Sequence, residues 1–170
     1  GWYFKQVSRK LDHAYAFIPG VSLAENDPHA FIQVIDGITG ATEYHAYGLD
    51  EFHYDTRELS VRVGKSVFTG KGFDLDIAGR EFRVRGSLEF AGTVPFPGSF
   101  FSPGIMGWYS FVPFMECYHA VVSMRHLLAG SLEINSRRVD FGGGTGYIEK
   151  DWGRSFPESW IWLHCNTFEG

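Results

Sequence analysis

Phe73-Asp74-Leu75-Asp76-Ile77-Ala78-Gly79-Arg80-Glu81-Phe82-Arg83-Val84-Arg85-Gly86-Ser87-Leu88-Glu89-Phe90 is the stretch that decides the fold. Phe73, Leu75 and Ile77 alternate with Asp74 and Asp76. After the turn at Ala78-Gly79, Phe82, Val84, Leu88 and Phe90 alternate with Glu81, Arg83, Arg85 and Glu89. A period of two with one greasy face and one charged face is the mark of a half-buried antiparallel hairpin. The same reading extends outward in both directions. Trp2–Ser8 and His13–Ile18 form a first pair, joined by the polar Arg9–Asp12. His29–Ile35, Thr42–Tyr47 and the alternating Leu59, Val61 and Val63 follow. Beyond the hairpin come Tyr118–Arg125, Gly130–Ile134 and Arg138–Phe141, with Asn135-Ser136 at a tight turn. No segment keeps a helical period over three turns. Many short strands punctuated by Gly and Pro imply an all-β domain, a barrel or a sandwich. Closure removes sheet edges and leaves an interior for a ligand, which favours an antiparallel barrel or strongly curled sheet.

Composition sets bounds on function. A chain of 170 residues suits a single domain with a true core. Its formal charge of −5, without a basic run, argues against nucleic acid as a partner. Aromatic residues make up 17% of the chain, which fits an aromatic-lined cavity or, equally, an aromatic β-core. Cys117 and Cys165 lie far apart and form no C-x-x-C, so free thiols are favoured over a disulfide. The seven histidines show no H-x-H or H-E-x-x-H spacing, so no metal is expected. Gly142-Gly143-Gly144-Thr145-Gly146 lacks the Lys of a phosphate loop and reads as a flexible turn. No cofactor is implied. Neither a signal nor a transmembrane segment is seen, which is read as a cytoplasmic protein or one peripheral to a membrane.

One segment fits no strand. Val94–Met115 holds five Phe, one Trp, one Tyr and four Pro with no charged residue. Left bare, such a loop would aggregate. It is expected at one end of the barrel, either as an apolar lid over a greasy site or as a plug across the open end.

The chemistry gathers near the C-terminus. In Gly146-Tyr147-Ile148-Glu149-Lys150-Asp151-Trp152-Gly153, an extended chain puts Tyr147, Glu149 and Asp151 on one face and Ile148, Lys150 and Trp152 on the other. In Ser159–Asn166, Trp160, Trp162, His164 and Asn166 share a face. Titratable groups in line with aromatics suggest a pocket wall. Glu149, expected on an inner face, is the candidate proton donor. A carboxyl in apolar surroundings resists ionisation and keeps a proton near neutrality, as a general acid must. The competing reading pairs it with Lys150, Arg154 or a backbone turn. Asp151 is expected to cap the turn before Gly153. Tyr147 orients Glu149, donates to a substrate oxygen or simply packs. His119, on an apolar strand, is either a satisfied core residue or a partner of the acid.

Those runs, Tyr147–Gly153 as Y-x-E-K-D-W-G, then Phe156-Pro157 and W-x-W-L-x-C-N-x-F-E-G to Gly170, resemble the signature of the tocopherol cyclase family. Gly1–Lys5 and Gly107–Phe114 resemble other recurrent blocks of it. A wider group with lipocalin-like halves, including carotenoid hydratases, has a similar aromatic start and acidic-Trp-Gly motif. The resemblance implies a lipocalin-like barrel and an isomerase that needs no cofactor. An acid protonates a prenyl double bond, a tertiary cation develops, and a ring hydroxyl captures it. By the same resemblance Glu149 is the acid and Tyr147 and His119 set its environment, His119 preceding it by a distance similar to that of a His and acid in carotenoid hydratases. Trp152, Trp160, Trp162, His164, Asn166, Asp151 and Trp108 line the substrate. Asp151 stands where the plant pattern has Asn and His164 where it has Gln, which puts the substrate tocopherols derive from in doubt. The resemblance also makes the chain one half of a two-domain protein, with an apolar flank for a second domain or another copy. The alternative function is a carrier: a lipocalin-like barrel that holds an apolar, isoprenoid ligand unchanged.

Overall fold

The structure, a computed structural model, describes residues 1–155 together with Glu158, Ser159 and Ile161. Twelve strands follow one another: β1 (Trp2–Val7), β2 (Ala14–Ser22), β3 (His29–Asp36), β4 (Thr42–Tyr47), β5 (Phe52–Tyr54), β6 (Ser60–Val63), β7 (Ser66–Thr69), β8 (Gly72–Ala78), β9 (Arg83–Val94), β10 (Cys117–Ile134), β11 (Arg137–Asp140) and β12 (Thr145–Gly153). Two short 3-10 turns interrupt them, Leu49–Glu51 and Gly107–Phe111. The strands form one antiparallel sheet in the order β4-β3-β2-β1-β12-β10-β9-β8-β7-β6-β5, with β11 on β10. It curls into a nearly closed barrel, the architecture that the sequence favoured over a sandwich.

Alternation explains which face is inside. Phe4 pairs with Phe17 on one side and Ile148 on the other, and all three are wholly buried. Leu75, Ile77, Val84, Leu88, Leu128 and Leu132 repeat the pattern on the other half of the sheet. The interior is filled rather than hollow. Phe4 lies 5.2 Å from Phe68, Phe17 5.4 Å from Phe73, and Phe73 5.5 Å from Phe90, mostly tilted or edge-to-face as ring quadrupoles prefer. Of the two expectations for the aromatic content, the β-core accounts for these phenylalanines.

The sheet is nearly closed by a latch. The Glu43 carboxylate, on edge strand β4, accepts backbone N–H bonds from Arg80, Glu81 and Phe82 in the β8–β9 turn (2.9, 3.1 and 2.7 Å). At Asn135 and Ser136 both φ angles are positive (51° and 63°), the twist that suits a two-residue hairpin between β10 and β11.

Candidate active site

β12 lies between β1 and β10, so its side chains are flanked by two strands on each face. The expected face-sharing holds: Tyr147, Glu149 and Asp151 lie on one side, Ile148, Lys150 and Trp152 on the other. The inner side, however, belongs to Ile148, which pairs with Phe4 in the core. Glu149 is opposite Tyr3 and Val121 and therefore sits on the outer face, which corrects the expectation of an inner one. The cause is register. A strand with period two gives its two faces but not which of them is concave, and β1 decides that by turning Phe4 and Gln6 inward. Although outward, Tyr147 and Glu149 are each only 5% exposed.

Four groups meet there. The Tyr147 hydroxyl donates to Glu149 Oε2 at 2.6 Å. His119, opposite Asp151 on β10, donates from Nδ1 to Asp151 Oδ1 at 2.6 Å, and its Nε2 lies 3.8 Å from Glu149 Oε2. Tyr147 and His119 thus converge on one carboxylate oxygen, with Asp151 behind the imidazole. The hydrogen bond to Asp151 outweighs burial and raises the His119 pKa, so that the ring favours its charged form. Burial, and then the bond to Glu149, push the Tyr147 phenol far above its usual range. Asp151, expected as a turn cap, instead spends its carboxylate on His119.

Tyr3 is the residue that sequence reasoning missed. Burial and the neighbouring Glu149 push its phenol up to about 12, so it remains a neutral hydroxyl beside the carboxylate. The signal was available: Tyr3 alternates with Phe4 in β1, but only the pairing Tyr3↔Glu149 shows that the two share a face.

The 94–115 segment leaves the sheet at the end of β9, beside Arg125, and leads back to it at the start of β10, beside the end of β12. It reaches the cluster through Met106, whose Sδ accepts the His119 backbone N–H at 3.0 Å. Tyr118 ties it down by donating to the Val112 carbonyl (3.0 Å). Its aromatics project outward: Phe100 is 86% exposed and Phe101 81%, while Trp108 stacks on Tyr109 at 4.1 Å. It is therefore no plug of the barrel. Trp108 does not join the cluster, and Trp152 lies on the opposite face, stacked on Tyr118 at 5.6 Å. Trp160, Trp162, His164, Cys165 and Asn166 lie outside the described residues. Cys117 is a half-buried free thiol.

One His nitrogen and two carboxylates, from His119, Glu149 and Asp151, have ligand atoms within 4.8 Å of one another, a set that could hold a cation. The short His119–Asp151 and Tyr147–Glu149 bonds already engage all three groups, which suits proton exchange. No helix among the described residues is long and apolar enough to cross a membrane.

Residues 89–170 match the family model described as Tocopherol cyclase-like. The chain is similar to "Tocopherol cyclase, chloroplastic" of Zea mays and to "Probable tocopherol cyclase, chloroplastic" of Oryza sativa subsp. japonica, at 36% identity over 64 residues in each case. That stretch is 38% of this chain and spans 14% of each relative's length. No solved structure gives a significant match. Residues 89–170, which carry His119, Tyr147, Glu149 and Asp151, are thus similar to the tocopherol cyclase-like family.

Proposed function

We propose that the outer-face cluster is an acid catalyst that isomerises a prenylated hydroquinone to a chroman, or a related isoprenoid to its protonation product. The observation that carries this reading is the convergence of Tyr147 Oη and His119 Nε2 on Glu149 Oε2 in a carboxyl only 5% exposed. Protonating an isolated alkene needs an acid that is aimed and shielded from water. Glu149 delivers the proton to the less substituted alkene carbon, leaving a tertiary cation. The ring hydroxyl oxygen closes on that cation, and its proton returns to the Glu149 carboxylate. Bonds and charges balance, so the product is an isomer of the substrate. His119, held by Asp151, restores the proton from solvent when the substrate hydroxyl does not, and Tyr147 and Tyr3 fix the carboxyl's direction. The aromatic 94–115 segment, docked at His119, supplies surfaces tolerant of positive charge.

The test is to supply a prenylated hydroquinone in D₂O. Acid-initiated closure places one non-exchangeable deuteron on carbon, so the chroman gains one mass unit over the substrate. Glu149→Gln keeps shape and removes the transferable proton; turnover should fall on the order of 100-fold or more. Recovery of the quinol unaltered from the unsubstituted chain would establish the carrier instead.

A further inference from the structure

On the opposite face of β12, Lys150 is placed for a purpose the Glu149 cluster does not use. Its ammonium lies 4.8 Å from the centre of the Trp2 ring and 5.4 Å from that of Trp152. It makes no ion pair among the described residues. Lys150 and Trp2 form one wall of a cleft at the barrel mouth with Val122, facing Leu59, Val61 and the Tyr54–Ser60 turn. The other charges lining the cleft are Asp55, Arg57 and Glu58, all exposed on that turn. Asp55 already accepts the Arg57 backbone N–H at 2.6 Å.

The geometry points to a binding site for a compact aromatic carboxylate, its flat body against Trp2, Leu59 and Val122 and its anionic head on Lys150. With the ammonium over an indole face, a carboxylate there forms a charge-assisted bond that a neutral head cannot match. Because it lies across the sheet from Glu149, this site is independent of the proposed catalysis.

Calorimetric titration with 2-naphthoate and with 2-naphthalenemethanol, which share a body and differ in charge, reads the head group alone. Naphthoate should bind about tenfold more tightly, the ratio one charge-assisted contact supplies. Lys150→Met should abolish the preference while the alcohol still binds; Lys150→Arg should keep it, and Glu149→Gln should leave both titrations unchanged. Should Lys150→Met fail to fold, raising salt on the unsubstituted chain substitutes for it, and the naphthoate advantage should shrink. Equal affinity for the two compounds, binding of neither, or a preference that survives Lys150→Met or is indifferent to salt overturns the proposal.

Discussion

Two histidines on one strand have opposite titration behaviour, a hydrogen-bond partner deciding one and burial the other. His119 is raised chiefly by its bond to Asp151. Asp151→Asn keeps the shape but removes the anion, so the His119 pKa should drop toward the ordinary 6.5, read from its ring proton shift across pH by NMR. If it titrates unchanged, Asp151 is not what charges it. His126 is the reverse case. Ser123 Oγ donates to the Arg125 carbonyl (3.0 Å) and so accepts from His126 Nδ1 (3.0 Å), which leaves Nε2 a buried lone pair. Burial alone pushes its pKa down to about 4. The folded protein therefore holds it neutral while the unfolded chain takes a proton near 6.5. Stability should fall as pH drops from about 6.5 to about 4, and flatten below, by about 3 kcal/mol in all. His126→Leu should remove that slope in denaturant melts repeated at several pH values.

At the scale of elements, β12 is where the fold and the chemistry meet, and Gly146 shows how tightly. A Cβ there would collide with His126 Nε2 and Gln6 Oε1, which both crowd over it inside the barrel. Gly146→Ala should cost roughly 1–3 kcal/mol, as overpacking does, seen as a lower urea midpoint at unchanged slope. The same element marks how much was legible beforehand. Strict alternation gave most strands nearly to the residue because one side of each is apolar, although the inward side of Thr42–Tyr47 is Glu43, His45 and Tyr47. It missed β5 and β7, whose three and four residues are too few to show a period. It split β10 in two, since Gly130 at φ +117° and the irregular pairing around Ser123 look like breaks yet leave the ladder running. The site was half legible for a related reason. Tyr147, Glu149 and Asp151 share a face by local geometry, whereas the arrival of His119 and Tyr3, and the choice of outer over inner face, depend on pairing across long separations.

The whole molecule holds its barrel shape partly through a contact from one end of the sheet to the turn between two strands of its other half. Edge strand β4 has no strand beyond it, and Glu43 joins it to the β8–β9 turn on the opposite half of the sheet. Burial pushes the Glu43 pKa up, but the bonds from Phe82, Arg80 and Glu81 and the nearby His45 together leave it below its usual 4.5. A depressed carboxyl contributes stability that is present above about pH 4.5 and is lost as pH falls through the folded value. Glu43→Ala returns three backbone N–H groups to water and removes the latch; the loss should be on the order of 2 kcal/mol, the worth of hydrogen bonds to a charged group less their hydration. Global melting would not distinguish an opened barrel from a weakened one, so hydrogen exchange is the sharper measurement. Amides of β4 and of Arg80–Phe82 should lose protection in Glu43→Ala at pH 7, while those of β1, β10 and β12 keep theirs. In the unsubstituted chain the same amides should loosen first as pH is lowered below 4.5. Uniform loss over every strand would mean that the latch is part of the cooperative core and not a clasp on its edge.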